Sequence, residues 1–164
     1  MVFKNYDIKA DQHFALRQAA SSDTHITITL GKNATADVKL AAETHAAQKI
    51  NLQVDVVHTG DNSKSKIELA GVARDDSQIN FQSSLKAATK IKNAEAKQDL
   101  RIMLLSPTAH GTAHPTQHIT TPGIAASHSA AVYGANPEHL FALALLGIDS
   151  ASAKNLLSSA LLKV

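Results

Sequence analysis

Between residue 24 and residue 104 the chain repeats one local pattern, a short run in which apolar and polar side chains alternate, followed by a turn. Residues 25–30 read HITITL and residues 36–40 read ADVKL; residues 50–56 read INLQVDV. KIEL at 66–69, SQINF at 77–81 and LRIML at 100–104 continue the series, with Gly, Asn, Asp and Ser between the runs. A period of two is the pattern of a half-buried strand. No amphipathic helical segment of crossover length separates these runs, which excludes a doubly wound α/β sheet and leaves a sandwich, a barrel or a solenoid of strands. Composition tilts the balance toward the solenoid. Only 4% of residues are aromatic and none is tryptophan, while alanine supplies much of the 44% apolar share. Sandwich cores lean on large aromatics; the closely stacked coils of a parallel β-helix are suited to small and aliphatic side chains.

Past residue 130 the period changes. Asn136-Pro137-Glu138 is a helix start, with a capping side chain, a proline in the first turn and an acid beside it. Leu140, Phe141, Leu143 and Ala144 follow at helical spacing, and Gly147 ends the segment. Asp149 or Ser150 caps a second helix with apolar positions at Ala153, Leu156, Leu157, Ala160 and Leu161. The expected organisation is one domain over 1–164: an irregular or weakly helical cap at 1–23, a β-helix over 24–130 and a helical hairpin over 136–164.

Several functions are excluded by what is absent. The formal charge of +2 is spread along the chain and aromatic stacking residues are scarce, so a nucleic-acid-binding face is not expected. No apolar run approaches bilayer length, and the first residues lack the order of a secretory signal, so the expectation is a cytoplasmic protein that does not enter a membrane. Neither a phosphate-cradling G-x-x-x-x-G-K-[ST] loop nor a G-x-S-x-G elbow occurs. The chain is not expected to be an enzyme or to bind nucleotide itself.

One stretch resists this reading. His110, His114, His118 and His128, four of the nine histidines, fall in a polar, loop-like segment of a chain with no cysteine. A helix would bring the first three onto one face, but Gly111, Pro115 and Thr116 argue against a helix. On a straight strand, residues four apart lie about 13 Å from each other, too far to share one ion. The group of four therefore fails as a ligand box unless the chain turns at Pro115 or coils stack. The motif around His58, with Gly60, Asn62 and Ser63, reads as a turn in which Gly60 and Asn62 take unusual backbone angles.

The order of these pieces resembles the C-terminal part of the SufB/SufD family of the SUF iron–sulfur assembly system. His58-Thr59-Gly60-Asp61-Asn62-Ser63-Lys64-Ser65 is similar to the family's H-x-G-x-N-[TS]-x-S turn, Gly71-Val72 to its G-V, and Phe81 to its next phenylalanine. The run from Gln98 to Ser106, His114-Pro115 through Ile119, Ala126-Ser127-His128, Leu140-Phe141 and Leu146-Gly147-Ile148 follow in the family's order. The resemblance implies a right-handed parallel β-helix with a terminal helical pair, and a non-enzymatic SufD-like scaffold subunit. It also implies pairing through the solenoid end, around 106–126, with a SufB-like chain or a second copy. The hairpin would dock a SUF-type (SufC-like) ABC ATPase through Leu140, Phe141, Leu145, Leu156 and Leu157.

The departures matter as much. Ala126 stands where the family has cysteine, and His114 and His118 stand where it has Lys and Glu. What the resemblance leaves for cofactor or metal contact is His128, with His118 as a second candidate, and no cofactor held by the chain alone. Iron or a transient iron–sulfur cluster would be shared at a subunit interface. Two other readings stay open, a homodimeric metal-binding module using His118 and His128, and a structural remnant without cluster chemistry.

Overall fold

The computed structural model describes residues 1–163; Val164, the last residue of the expected hairpin segment, lies outside the described residues. The strands alternate between two sheets. The first holds β1 (Val2–Ile8), β3 (Thr24–Leu30), β5 (Lys49–His58), β7 (Gln78–Ala87) and β9 (His110–His118), in that order. The second holds β2 (His13–Ala20), β4 (Thr35–Thr44), β6 (Lys64–Ala73), β8 (Ala94–Leu104) and β10 (Ile124–Gly134). Neighbouring strands within each sheet are parallel, so the chain climbs one rung of each sheet in about thirty residues, as a solenoid does. The expected β-helix and C-terminal helical pair are both present.

The interior is a stack of aliphatic rows. Ile26, Ile28 and Leu30 lie under Val54 and Val56 in the first sheet, facing Val38, Leu40, Ile67 and Leu69 of the second, all essentially without solvent contact. Each such side chain stabilises the fold by about 1.5–3 kcal/mol relative to exposure. Thin layers demand small residues at set places. Gly71 lies under the Phe81 ring, where a Cβ would come within 2.8 Å of it, and a Cβ on Gly60 would fall 2.1 Å from the backbone nitrogen of Lys32. Gly60 thus serves close approach of coils and not the unusual backbone angle expected of it; Asn62, at φ 56°, does supply that angle. Asp11, Asn33, Asn62 and Asn93 repeat this left-handed conformation at successive turns of one corner. The Asn62 amide donates to Asn33 Oδ1 at 2.9 Å, and Asn33 donates to Asp11 Oδ1 at 2.7 Å.

Two expectations are corrected here. Residues 1–20 do not form an irregular or helical cap but the first coil, β1 and β2. Their alternation is masked because Lys4 and Gln18 occupy inward positions, pairing in register with Ile26 and Leu40. The histidine-rich segment is likewise not a loop: it forms β9 and β10, the last rung of each sheet. A terminal rung has one neighbour only, so its side chains stay exposed and its sequence reads as polar.

The helices α1 (Pro137–Leu145) and α2 (Ser150–Leu161) start as read from the sequence. Asn136 accepts from the Glu138 amide at 2.9 Å and Asp149 from those of Ala151 and Ser152, each at 3.0 Å. Gly147, at φ +79°, makes the turn between them. The hairpin does not seal the end of the solenoid. It lies on the outer face of the second sheet, where Leu157, Leu161 and Leu162 pack on Val72, Met103 and Leu105. Arg74 clamps it, donating to Glu43 Oε1 at 2.7 Å, Asn155 Oδ1 at 2.9 Å and Ser158 Oγ at 2.8 Å.

Candidate functional site: the open solenoid end and the hairpin ridge

Because the hairpin is displaced to the flank, β9 and β10 are left as the uncovered end of the solenoid. The register decides which way their side chains face. Gly111, Ala113, Pro115 and Gln117 pair with the buried Ile79, Phe81, Ser83 and Leu85, so they continue the inward row. His110, His114 and His118 therefore stand on the outer surface of the first sheet, about 13 Å apart from one to the next. On β10 the parity reverses the outcome for the fourth histidine. His128 pairs with Gln98, which is 2% exposed, so His128 belongs to the inward row, yet it is exposed because nothing stacks on it.

His118 and His128, the two candidates taken together from the sequence, are thus on different sheets and different faces. Among the described residues, no group of three or more His, Cys, Asp or Glu side chains converges as a metal would require. What lies beneath His128 is a buried polar patch. The Gln98 amide donates to Ser83 Oγ at 2.7 Å, and Gln117 donates to Gln98 Oε1 at 3.3 Å. No such patch was legible in the sequence, because polar residues such as Gln98 and Ser83 carry no pattern that marks them as buried.

The free backbone of this end is as specific as its side chains. Ala94 N–H bonds the Gly123 carbonyl, so odd-numbered residues of β10 face β8 and even-numbered ones face solvent. The amides and carbonyls turned away from β8 are those of Ile124, Ala126, His128, Ala130, Val132 and Gly134. On β9, His110 N–H bonds Ser77, so the odd positions face outward, and Pro115 removes one donor from that edge.

The hairpin divides its leucines between two tasks. Leu157 packs on the solenoid, whereas Phe141 (66% exposed), Leu145 (73%) and Leu156 (51%) face solvent; Leu140 is half-buried. Leu146, absent from the sequence-based docking set, is 77% exposed and adds a fourth large apolar side chain to the hairpin's exposed set. Sequence periodicity overlooked it because it sits at the C-cap, just beyond the last helical turn.

The motif at His58 proves to be architecture. His58 is fully buried at the end of β5, its Nδ1 2.7 Å from Ser63 Oγ and its Nε2 2.9 Å from Ser65 Oγ. Ser63 gives its own hydrogen to the Gly60 carbonyl at 2.8 Å, so it accepts from Nδ1–H and leaves Nε2 to accept from Ser65. This is a satisfied neutral imidazole, and burial lowers its pKa to about 4.

A parallel two-sheet solenoid carrying a helical hairpin on its flank defines the class of protein. Residues 11–161 match the SUF system FeS cluster assembly, SufBD core domain, and the chain belongs to that family. It is also 29% identical over 120 residues to the iron-sulfur cluster assembly protein SufD of Bacillus subtilis (strain 168), an alignment spanning 73% of this chain and 28% of that protein. No helix among the described residues is long and apolar enough to cross a membrane.

Proposed function

We propose that this chain is a non-enzymatic, SufD-like scaffold subunit of cytoplasmic iron–sulfur cluster assembly. It pairs through β10 with a SufB-like chain or a second copy, and it offers its hairpin to a SUF-type ABC ATPase. The observation that carries the reading is the separation of two unpartnered surfaces, a bare strand edge at one end and an apolar ridge of Phe141, Leu145, Leu146 and Leu156 on the flank. An uncovered parallel edge is a template for another chain, and four large apolar side chains left exposed on one short hairpin mark a contact surface. The test is co-purification with a SUF-type ATPase. Phe141→Ser with Leu145→Ser should abolish capture while leaving the melting transition within a few degrees, because both side chains are exposed; undiminished capture would rule out the ridge.

The cluster, as cargo, fits this chain only in part. His128 supplies one imidazole at the edge, a ligand type suited to iron. With no cysteine in the chain, thiolates must come from a partner. The homodimeric metal-module reading is narrowed by geometry: antiparallel pairing of β10 with its copy keeps even-numbered residues opposite even-numbered ones, so two His128 rings would meet in the register centred on that residue, while His118 stays on the outer face. Metal content of wild type against His128→Ala separates this reading, which an unchanged content would eliminate.

A further inference from the structure

The crevice between the hairpin and the second sheet differs in kind from the ridge beside it. It encloses about 550 Å³ and opens to solvent. Its apolar lining comes from Met103 on the sheet and from Leu157 and Leu161 on α2. Its polar lining includes Lys39 and Arg101 on the sheet and His139 on α1, and no carboxylate lines it. Both cations are loosely held within the chain. Lys39 lies 3.9 Å from Glu68, whose stronger contact is Lys66 at 2.7 Å, and Arg101 lies 3.3 Å from Asp99. A volume of this size takes one or two side chains and not a helix. Leu156, 51% exposed, and Leu157, in the crevice lining, are consecutive residues of α2, so the exposed apolar surface and the crevice share that helix.

We infer that the crevice receives an acidic side chain, with an apolar neighbour, from the protein that docks on the hairpin. The carboxylate would meet the Arg101 fork and the Lys39 ammonium, and the apolar neighbour would rest on Met103 and Leu161. This rests on the reading of the hairpin as the ATPase-docking surface, and it adds the charge that the partner must carry.

The experiment measures binding of the intact chain to a SUF-type ATPase at low and high salt, for wild type, Arg101→Glu, Arg101→Lys and Phe141→Ser. Arg101→Glu should weaken binding about tenfold or more at low salt, with the difference shrinking as salt screens it. Arg101→Lys should keep most of the affinity, and Phe141→Ser should weaken binding at both salts. If Phe141→Ser weakens binding but Arg101→Glu does not, or does so equally at both salts, the acidic anchor is wrong and hairpin docking stands. If no variant changes binding, or wild type fails to bind, both ideas fall.

Discussion

The two ends of the solenoid are built from the same strand pattern and treat their open edges in opposite ways. At the N-terminal end the inward row of the first coil is filled and locked: the Lys4 ammonium donates to Gln18 Oε1 at 2.8 Å across the two sheets, and the Tyr6 and Phe14 rings meet at 4.5 Å. At the C-terminal end the inward row is small and mostly apolar, with Gly111, Ala113 and Pro115 on β9 and Ala126, His128, Ala130 and Val132 on β10. An inward-pointing charge is one of the ways natural sheets keep an edge from pairing. The difference teaches that a solenoid end becomes adhesive or inert through a few inward positions, without any change in backbone. Of the four terminal strands, β1 carries that inward charge, β2 meets it through Gln18 and β9 carries a proline, whereas β10 has none of these.

Moving the guard to the other end is the strongest way to break this contrast. Ala130→Lys places a charge in the inward row of β10, where a partner strand would bury it. Association at that end, measured by analytical ultracentrifugation with a copy or a SufB-like chain, should weaken about a thousandfold, roughly 4 kcal/mol. Stability of the single chain should barely change, because Ala130 is exposed. Pairing that survives would mean the interface lies elsewhere.

Acid acts on what lies between the ends. The His58 pKa is lowered to about 4 in the folded chain against an ordinary value of 6.5. The unfolded chain therefore takes up the proton first as pH falls. The stability contributed by neutral His58 is fully present above about pH 6.5, declines as the pH drops, and is gone below about 4; at one pKa unit per 1.36 kcal/mol it amounts to about 3 kcal/mol. Hydrogen exchange at pH 5 should show β5 and β7 losing protection ahead of β1 and β2. His58→Gln should flatten the dependence of the urea midpoint between pH 7 and 5, and a slope as steep as that of wild type would assign the acid sensitivity to other groups. A smaller effect is expected from unlocking the inert end. Lys4→Val with Gln18→Val should raise self-association about a hundredfold, giving elongated end-to-end particles in electron micrographs; an unchanged size distribution would deny Lys4 and Gln18 a guarding role.

How far these features could be read from sequence depends on how many neighbours an element has. Central rungs such as β5 and β6 bury a whole row, so their alternation was plain. Terminal rungs bury half as much, and there the same rule failed: Lys4 and Gln18 concealed β1 and β2, and the polar outer face of β9 passed for a loop. Helix caps are local, so Asn136 and Asp149 were legible to the residue. Where the hairpin sits was not, because it depends on Met103 and Leu105 at the ends of strands on a face that sequence does not distinguish. The site suffered most. Sequence ranked His128 ahead of His118 but grouped them at one site, and only register, a property of strand pairs, puts His118 outside and His128 in the inward row.

The corners carry the least expected effect and extend the contrast between ends. One corner repeats Asp11, Asn33, Asn62 and Asn93 in the left-handed conformation, but after β9 the chain turns through Pro122-Gly123 instead, so the last coil stands outside that ladder. The opposite corner places Ala46 at φ 53°, its amide donating to Asp75 Oδ2 at 2.9 Å. Alanine carries a cost of about 1–2 kcal/mol in that region, which asparagine tolerates better. Ala46→Asn should therefore stabilise the chain by about 0.5–1 kcal/mol, read as a higher urea midpoint. Asn62→Ala should cost about 1–2 kcal/mol, losing both the favoured residue and its bond to Asn33. Should Ala46→Asn bring no gain while Asn62→Ala is costly, the corners depend on the side-chain ladder and not on relief of backbone strain. The final coil, which lacks that ladder, would then be the least firmly tied part of the solenoid as well as its exposed end.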